Sequence, residues 1–470
     1  MQSTLLHSIG RCLGVLILTA TFWGVSSADA ADRPPNIVMI ISDDQTWTDY
    51  GFMGHPVIET PHLDRLAERS AVFRRGYVPI ALCRPSLVTM ITGLYPHQHG
   101  ITGNDPWRSP SIPPDEYAAS RAKLIAKLDE CPKVPELLKQ KGYLSHQSGK
   151  WWEGNFSRGG FTHGMTRGFP QPGGRHGDDG LKIGRETMQP VFDFIDTAVE
   201  QEKPFFVWYA PFLPHTPHNP PKRILDKYLA EDRPVALSKY YAMCDWFDET
   251  CGQLIDHLDE AGQTDNTMIV YVTDNGWIQK TPQTEVPDGW KTSFAPRSKQ
   301  SPYDGGTRTP ILVSWPGKVR PENRAEIVSS IDLAPTMLAA AGIEVPAEMP
   351  GIDLVPVLNG KRALRRQYLF GESYAHDVAD IDNPEETLLY RWVIDGPWKL
   401  LLTYDGKVNR YKAVHQRTDK RPQLFHLVND PHETKNLAAQ NPQVVARLAS
   451  ALNDWWQVKE RQVQTEYVSE

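Results

Sequence analysis

Cysteine is scarce in this sequence, with only five in 470 residues. Cys12 lies in the apolar N-terminal segment, which leaves Cys83, Cys131, Cys244 and Cys251. Cys244 and Cys251 fall in one predicted helix, where two turns separate them by about 10 Å, too far for a disulfide. No cysteine and histidine spacing typical of zinc sites is present either. The sequence therefore excludes a disulfide-dense scaffold and a structural zinc site.

Positive charge is not in excess, because 50 Lys and Arg stand against 57 Asp and Glu, for a net charge of −7. A nucleic-acid-binding surface would be basic, so we expect no nucleic-acid partner. Long apolar runs are also missing after the first thirty residues, so we expect no stable membrane insertion.

The N-terminal segment differs from the rest of the chain. Arg11 precedes the apolar residues 12–25, and Ala28, Asp29 and Ala30 form an A-x-A cleavage signal. We interpret residues 1–30 as a secretory signal peptide and predict a secreted or periplasmic protein. An uncleaved membrane anchor is the alternative, although the run is short for a span.

Short apolar runs alternate with helical patterns through the first three quarters of the chain. This alternation predicts an α/β domain with a large, mostly parallel sheet flanked by helices. The predicted strands are residues 37–41, 143–148, 205–210, 268–273 and 311–315. The predicted helices are residues 64–71, 134–141, 181–199 and 238–261.

The pattern changes after about residue 342, where short antiparallel strands are predicted near residues 368–370, 391–394 and 399–402, followed by a helix that ends near residue 456. We predict a catalytic α/β domain over residues 32–360. A small C-terminal α+β domain with a short antiparallel sheet is predicted over residues 361–470.

Polar side chains follow two of the predicted strands. Asp43 and Asp44 come directly after the first strand, and Asp274 and Asn275 follow the fourth. In open α/β sheets ligands bind beyond the carboxyl ends of the strands, so these four side chains are expected to meet. Their oxygens suit Ca²⁺ or Mg²⁺. The alternative is that each pair is an ordinary turn or helix cap.

Three further groups suit an anionic substrate beside such a metal. Lys150 and Lys299 are candidates for stabilising the charge of an anion, and His215 for protonating a leaving group. The alternatives are two solvated surface lysines and a turn or core histidine.

Cys83 begins the stretch CRPSLVTMITG, in which Pro85 suits the first turn of a helix. A helix N-terminus favours anions and predicts a lowered pKa for the thiol. A soft thiolate is nevertheless a poor partner for a hard cation held by oxygens. If Cys83 belongs to this site, its chemistry is more reasonable after oxygen has replaced the sulfur.

At this point the sequence resembles the type I sulfatases of the alkaline phosphatase superfamily. The resemblance covers nearly the whole chain after the signal peptide, and its blocks occur in the family's order. Residues 36–44 (NIVMIISDD) resemble the opening strand and metal pair, and residues 83–93 the motif C-x-P-S-R-x-x-x-x-T-G. Later blocks are residues 149–151, 214–215, 274–276, 303–308, 332–336 and 429–437.

The resemblance implies an alkaline-phosphatase-like fold and hydrolysis of a sulfate ester on a sulfated small molecule or glycan. It implies that a formylglycine-generating enzyme oxidises Cys83 to formylglycine, whose hydrated aldehyde attacks sulfur. The implied calcium ligands, which include the modified Cys83, are Asp43, Asp44, Asp274 and Asn275. By the same resemblance, Lys150 and Lys299 bind sulfate oxygens and His215 assists the leaving group.

Two positions depart from the family pattern. Leu87 stands where the motif has an arginine that helps the maturation enzyme recognise the cysteine and later helps hold the aldehyde. Arg84 is no simple substitute, because it points about 100° away from the helix face that positions 83 and 87 share. Trp152 replaces a histidine that contacts the formylglycine hydroxyl, and an indole cannot accept a proton.

Three interpretations therefore stay open from the sequence. The protein is a matured, exported sulfatase, a phosphoester or phosphonate hydrolase of the same superfamily, or a sulfate- or glycan-binding homologue without turnover.

Aromatic residues near the predicted site favour a carbohydrate, because a ring face suits a sugar. The candidates are Trp47, Trp107, Trp152 and Trp277, with core packing as the alternative. His97 and His99 are further pocket candidates, and His99 is a candidate replacement for the histidine missing at position 152. A structural histidine is the alternative for both.

Overall fold

The computed structural model describes residues 33–276, 297–406 and 421–458. Met1–Arg33 and Pro34–Glu470 form separate units. The predicted signal peptide and Trp277 lie outside the described residues. The strands in chain order are β1 Asn36–Ser42, β2 Ala71–Tyr77, β3 Asp105–Pro106, β4 Leu144–Gly149, β5 His163–Gly164, β6 Phe205–Ala210, β7 Thr267–Thr273, β8 Arg308–Ser314, β9 Glu322–Ser329, β10 Leu369–Tyr374, β11 Asp377–Val378, β12 Leu388–Asp395, β13 Trp398–Thr403 and β14 Gln423–His426.

Eight strands form one sheet in the order β5-β4-β6-β1-β7-β8-β2-β9. All neighbours pair in parallel except β7 with β8 and β8 with β2, which are antiparallel. The predicted large, mostly parallel sheet is therefore confirmed. Alternate residues of β1 serve two different cores, since Ile37 and Met39 pack on one face while Val38 and Ile40 pack on the other. This alternation is expected of a strand covered on both sides.

Helices cover both faces of this sheet. The helices in chain order are α1 Pro61–Glu68, α2 Cys83–Thr92, α3 Pro96–His99, α4 Pro114–Ala126, α5 Val134–Lys139, α6 Gln189–Glu200, α7 Lys222–Tyr228, α8 Val235–Glu260, α9 Asp304–Thr307, α10 Leu333–Ala340, α11 Val355–Leu358 and α12 Pro442–Trp455. One core includes apolar residues of α2, α5 and α10, and the other includes those of α1, α6 and α8.

A second, four-stranded sheet has the order β10-β12-β13-β14 and is antiparallel throughout. Leu448 and Leu452 of α12 share a core with Leu400 and Leu402 of β13. The C-terminal antiparallel sheet with a closing helix is confirmed, whereas the domain boundary near residue 360 stays a prediction.

Three strands of the main sheet, β2, β5 and β9, escaped the sequence analysis. The predicted helix over 64–71 ends at Glu68, and Ala71 already begins β2, whose sequence AVFRRGY carries two arginines that hide its apolar alternation. Strand β9 forms an edge of the sheet and is largely polar. The predicted helix over 181–199 begins at Gln189, because a glycine-containing turn occupies the residues before it.

The described cysteines form no disulfide. Cys83, Cys131, Cys244 and Cys251 are all free and buried, as the helical spacing of the last two predicted. Of the helices that the structure describes, none combines the length and apolar composition that a bilayer span requires.

A buried charge cluster connects the C-terminal sheet with the start of α9. Lys399 on β13 contacts the carboxylates of Asp304 and Glu433 at 2.9 and 3.0 Å, and none of the three side chains is more than 1% exposed. One ammonium group therefore faces two carboxylates. Burial, partly opposed by Lys399, raises the pKa of Glu433 to about 7 from 4.5.

This cluster predicts a stability that falls as the pH rises. Unfolded chains lose the Glu433 proton near pH 4.5, whereas the folded protein keeps it to about pH 7, so folding binds an extra proton in that window. Between pH 4.5 and 7 the unfolding free energy of the wild type should fall by roughly 2 kcal/mol more than that of Glu433→Gln, as measured by denaturant unfolding. The exposed Glu348→Gln is the control. An unchanged pH dependence in Glu433→Gln would contradict the assignment.

Candidate active site

The candidate residues are brought to one edge of the main sheet by four parallel strands. Ser42 of β1 pairs with Thr273 of β7, so the acidic residues that follow each strand emerge side by side. Lys150 follows β4, and His215 follows β6 by a short loop. Lys299 is held next to the start of α2, because the N–H of Gln300 donates to the carbonyl of Ala81 at 2.7 Å.

Each lysine contacts a different aspartate. The Lys150 ammonium lies 2.6 Å from Asp43 Oδ1, and Lys299 lies 2.7 Å from both Asp44 oxygens. The second acidic pair joins the first, since Asp274 Oδ1 accepts from the Asp44 N–H at 3.0 Å and Asn275 Nδ2 donates to Asp44 Oδ1 at 2.5 Å. Three carboxylates therefore face two ammonium groups, and the five side chains are buried.

The pKa directions follow from this charge imbalance. Burial, with the neighbouring aspartates, raises the pKa of Asp43 and Asp274. Burial also acts to raise the pKa of Asp44, but Lys299, His215 and Lys150 together hold it below its usual range. Burial opposes the charged form of both lysines, yet the carboxylates raise the pKa of Lys150 and Lys299, so both stay cationic.

Cys83 is the first residue of α2 and lies inside this charge cluster. Its Sγ is 3.3 Å from Lys150 Nζ, 3.7 Å from Asp44 Oδ1 and 3.9 Å from Asp43 Oδ1. The predicted lowering of the thiol pKa is wrong. Burial raises the pKa of Cys83, and the two lysines do not compensate for it. An unmodified Cys83 is therefore a protonated thiol.

His215 points one ring nitrogen at the acidic cluster. Its Nδ1 lies 2.6 Å from the Thr216 carbonyl, which can only accept, so Nδ1 carries a proton. Its Nε2 lies 3.2 Å from Asp44 Oδ2. Burial lowers the pKa of His215 well below 6.5. A neutral ring then turns a lone pair toward a carboxylate, an arrangement that a cation between the two groups would stabilise.

The unsatisfied oxygens of the cluster test whether a hard cation fits. Asp43 Oδ2, Asp274 Oδ2 and Asn275 Oδ1 are buried and have no hydrogen-bond partner within residues 33–276, 297–406 and 421–458. Buried polar atoms without partners are destabilising, so their convergence is expected where an ion binds. Asp43, Asp44, Cys83 and His215 each offer a ligand atom within 4.8 Å of one another. The donor set is dominated by carboxylate and amide oxygens and fits Ca²⁺ or Mg²⁺.

The two departures from the family motif have different surroundings. Leu87 packs in the apolar core of the main sheet. Arg84 forms a two-pronged ion pair with Glu153, with Nε and Nη2 each 2.7 Å from a carboxylate oxygen, and both side chains are 2% exposed. The Arg84 N–H also donates to Asn104 Oδ1 at 3.0 Å. Arg84 therefore ties the start of α2 to the chain after β4 and does not replace an arginine at position 87.

The aromatic and histidine candidates fall into different environments. Trp47 and Trp107 are partly exposed, whereas Trp152 is 3% exposed, so its ring is no open platform for a sugar. His97 contacts Glu372 at 3.0 Å. His99 is buried, contacts the Thr89 hydroxyl at 3.3 Å and accepts from the Ile101 N–H at 3.1 Å. These are the contacts of structural histidines.

Several residues of the site were missed by the sequence analysis. Phe212 stacks on His215 with ring centroids 4.3 Å apart, and Arg185 donates to the carbonyls of Phe212 and His215 at 2.6 and 2.7 Å. Glu153 and His176 are the others. The glycine-rich composition of residues 152–180, which is typical of functional loops, was the available signal for the last two.

Two family profiles match the chain. The profile described as Sulfatase matches residues 35–343, and the one described as N-sulphoglucosamine sulphohydrolase, C-terminal, matches residues 297–458. The first match spans all eight candidate catalytic and metal-binding residues.

Known proteins resemble the chain over most of its length. Arylsulfatase A of Homo sapiens is 29% identical over 475 residues, covering 89% of this chain and 87% of that protein. N-acetylgalactosamine-6-sulfatase of Canis lupus familiaris is 26% identical over 464 residues, with 89% and 84% covered. A solved structure described in complex with its substrate D-glucosamine-2-N,6-O-disulfate has a TM-score of 0.63 and 19% identity over 90% of this chain and 97% of that chain, which shows a shared fold.

The Arg84–Glu153 pair predicts a strong effect on stability. Arg84→Met leaves Glu153 buried without its countercharge and should lower the unfolding free energy by about 3–5 kcal/mol in denaturant unfolding. The double variant Arg84→Met, Glu153→Met should be less destabilised than Arg84→Met alone. Arg223→Met, in the more exposed pair with Glu249, is the control and should change it by less than about 1 kcal/mol. Equal effects of Arg84→Met and Arg223→Met would refute the structural role of the pair.

Proposed function

Because the chain belongs to the sulfatase family of sulfuric ester hydrolases, we propose that it is an exported enzyme that removes sulfate from a sulfated carbohydrate. The observation that carries this proposal is the cluster of three buried aspartates and two buried lysines around the first residue of α2. Export rests on the signal peptide predicted from the sequence. The proposed domain division assigns the site to residues 32–360.

Charge balance supports an anionic substrate. The aspartates and lysines alone carry a formal excess of one negative charge, which disfavours an anion. A divalent cation reverses this to an excess of one positive charge, which a sulfate monoester neutralises. Lys150 and Lys299, freed from their aspartates, would then bind sulfate oxygens as charge-assisted hydrogen-bond donors.

The residues that would hold the cation are Asp43, Asp44, Asp274 and Asn275, with the modified side chain of residue 83. We assign Ca²⁺ because it accepts many oxygen ligands in flexible geometry, whereas Mg²⁺ usually retains several waters. When bound, the ion supplies Lewis-acid stabilisation of negative charge. The unpaired oxygens of three of these residues support the assignment.

Cys83 is proposed to act only after oxidation to formylglycine. Because burial raises the thiol pKa, the unmodified side chain stays protonated and is a weak nucleophile. A formylglycine-generating enzyme, which brings its own oxidant, would replace the sulfur by an aldehyde oxygen whose hydrate supplies a hydroxyl nucleophile. As the first residue of α2, position 83 lies at the positive end of the helix dipole, which favours negative charge there.

His215 is proposed to serve the leaving alcohol. Its Nδ1–H is held by the Thr216 carbonyl, which fixes the ring and leaves Nε2 to face the cluster. In the free protein burial keeps His215 neutral. An anion bound at the lysines would favour its protonated form, and Nε2–H could then protonate the departing oxygen.

A sulfated sugar is the proposed substrate class. The relatives include an N-acetylgalactosamine-6-sulfatase, and a protein of the same fold was solved with a sulfated glucosamine. Trp47, three residues beyond Asp44, is partly exposed and is the proposed sugar contact, although the Arg308 guanidinium lies 3.8 Å from its ring centroid.

The maturation of Cys83 predicts a specific mass change. In protein from the native host, the peptide that contains residue 83 should show the mass loss for conversion of CH₂–SH to CHO, while the peptides with Cys131, Cys244 and Cys251 stay thiols. The protein should hydrolyse 4-nitrophenyl sulfate, and Cys83→Ala should lower kcat by at least about a thousandfold, as loss of a nucleophile does.

Three outcomes would contradict this proposal. An intact Cys83 thiol in active protein would exclude the formylglycine route. Faster hydrolysis of 4-nitrophenyl phosphate than of the sulfate would favour a phosphoester hydrolase. Sulfate binding without turnover would indicate a binding protein.

Calcium removal predicts a loss of stability that needs no substrate to measure. Chelation should lower the midpoint of thermal unfolding, and calcium at a thousandfold excess over Kd should restore about 4 kcal/mol. Asp274→Asn should weaken this response, whereas Asp256→Asn, on the exposed surface of α8, should not. Equal responses of wild type and Asp274→Asn, or a response to Mg²⁺ alone, would overturn the calcium assignment.

A further inference from the structure

His176 lies near Lys150, although it comes from a different part of the chain. The loop that carries it folds back onto the residues after β4. The backbone N–H of Trp151 donates to the backbone carbonyl of His176 at 3.1 Å, and the Thr166 hydroxyl donates to the Gly177 carbonyl at 3.0 Å. These bonds fix the position of the loop at the edge of the sheet where the active-site groups meet.

The ring of His176 is held between two aromatic side chains that also contact Lys150. Its centroid is 5.4 Å from that of Trp152 and 5.6 Å from that of Phe212. The Lys150 ammonium is 5.2 Å from each of the same two aromatic rings. The Phe212 ring also stacks on the ring of His215, with the two centroids 4.3 Å apart. His176 and His215 therefore flank one phenyl ring, close to the ammonium group assigned to sulfate.

The hydrogen bonding of His176 is incomplete in the free protein. Its Nδ1 is buried and has no partner in the described part of the chain, although the side chain as a whole is partly exposed. A buried nitrogen without a partner is destabilising by about 1–3 kcal/mol. A histidine kept only for packing has no reason to retain this penalty, and an apolar side chain would fill the space without it.

His176 contacts Trp152, which stands where the family pattern has a histidine. Trp152 offers an indole N–H, which is itself buried without a partner among the described residues. We propose that His176 supplies the missing imidazole from the glycine-rich loop and donates a hydrogen bond from Nδ1, the unpartnered nitrogen, to an oxygen of the sulfate group bound at Lys150. This inference rests on the proposed sulfatase function.

The charges around His176 are consistent with this role. Burial, then Lys150 and Arg175, lowers the pKa of His176 to about 3, with Asp105 opposing and Arg121 adding to the effect. The ring is therefore neutral and carries one N–H. A neutral donor stabilises the bound anion without adding a charge. The proposed cation and the lysines already neutralise the charges of the aspartates and of the sulfate ester.

Four variants test the proposal. His176→Ala removes the donor, and His176→Asn keeps an N–H near the Nδ1 position. Trp152→His in the His176→Ala background restores an imidazole at the family position. His163→Ala, an exposed histidine of the nearby strand β5, is the control. The readouts are kcat and KM for 4-nitrophenyl sulfate, the inhibition constant of inorganic sulfate, and the shift in thermal unfolding midpoint that sulfate produces.

His176→Ala is expected to weaken sulfate inhibition and to lower kcat/KM by roughly 10- to 100-fold, the usual effect of losing a hydrogen bond to a charged group. His176→Asn should recover most of this loss, Trp152→His should recover part of it, and His163→Ala should match the wild type. Unchanged sulfate affinity in His176→Ala, or a loss in His176→Asn equal to that in His176→Ala, would overturn the proposal.

The sulfate-dependent thermal shift separates this proposal from the sulfatase assignment. If the wild type binds sulfate but does not hydrolyse the ester, the proposed function fails while the difference in shift between wild type and His176→Ala still decides the role of His176. A wild-type protein that sulfate does not stabilise would overturn the role of His176 as well.

Discussion

Buried charge at one edge of the main sheet constrains the arrangement of the whole site. Three aspartates and two lysines are removed from water there, and a buried charge is strongly destabilising unless an opposite charge lies close to it. The parallel pairing of β1 with β7 places the acidic pairs together, and β4 supplies Lys150. The pairs Lys150–Asp43 and Lys299–Asp44 satisfy four of the five charges. The fifth charge, on Asp274, favours the binding of a cation.

The chemistry around Cys83 follows from the same burial. The thiol is kept protonated, His215 is kept neutral, and the lysines are kept cationic. The free site is thus poorly suited to act through sulfur and well suited to bind an oxyanion beside a hard cation. The two departures from the family motif change the hydrogen bonding near residue 83 without changing this charge pattern. Leu87 extends the core, and Arg84 forms a separate pair with Glu153.

Much of this arrangement could be predicted from the sequence, because polar residues after apolar strands converge under a simple topological rule. Asp43, Asp274 and Lys150 meet as that rule predicts. The rule fails where tertiary packing decides. Strand β2 was hidden by its arginines, and the pKa of Cys83 was predicted in the wrong direction because burial outweighs the helix N-terminus. The contact between His176 and Trp152 depends on how a long loop folds back, which no local pattern encodes.

The central claim is that a divalent cation and an oxyanion together satisfy the buried charges at this edge. A crystal structure of the purified protein grown with calcium and sulfate tests it directly. The account predicts calcium bound by oxygens of Asp43, Asp44, Asp274 and Asn275 at about 2.3–2.6 Å, with Lys150 and Lys299 turned from the aspartates to the sulfate. Lysines that remain paired with Asp43 and Asp44, with no ion between the carboxylates, would contradict it.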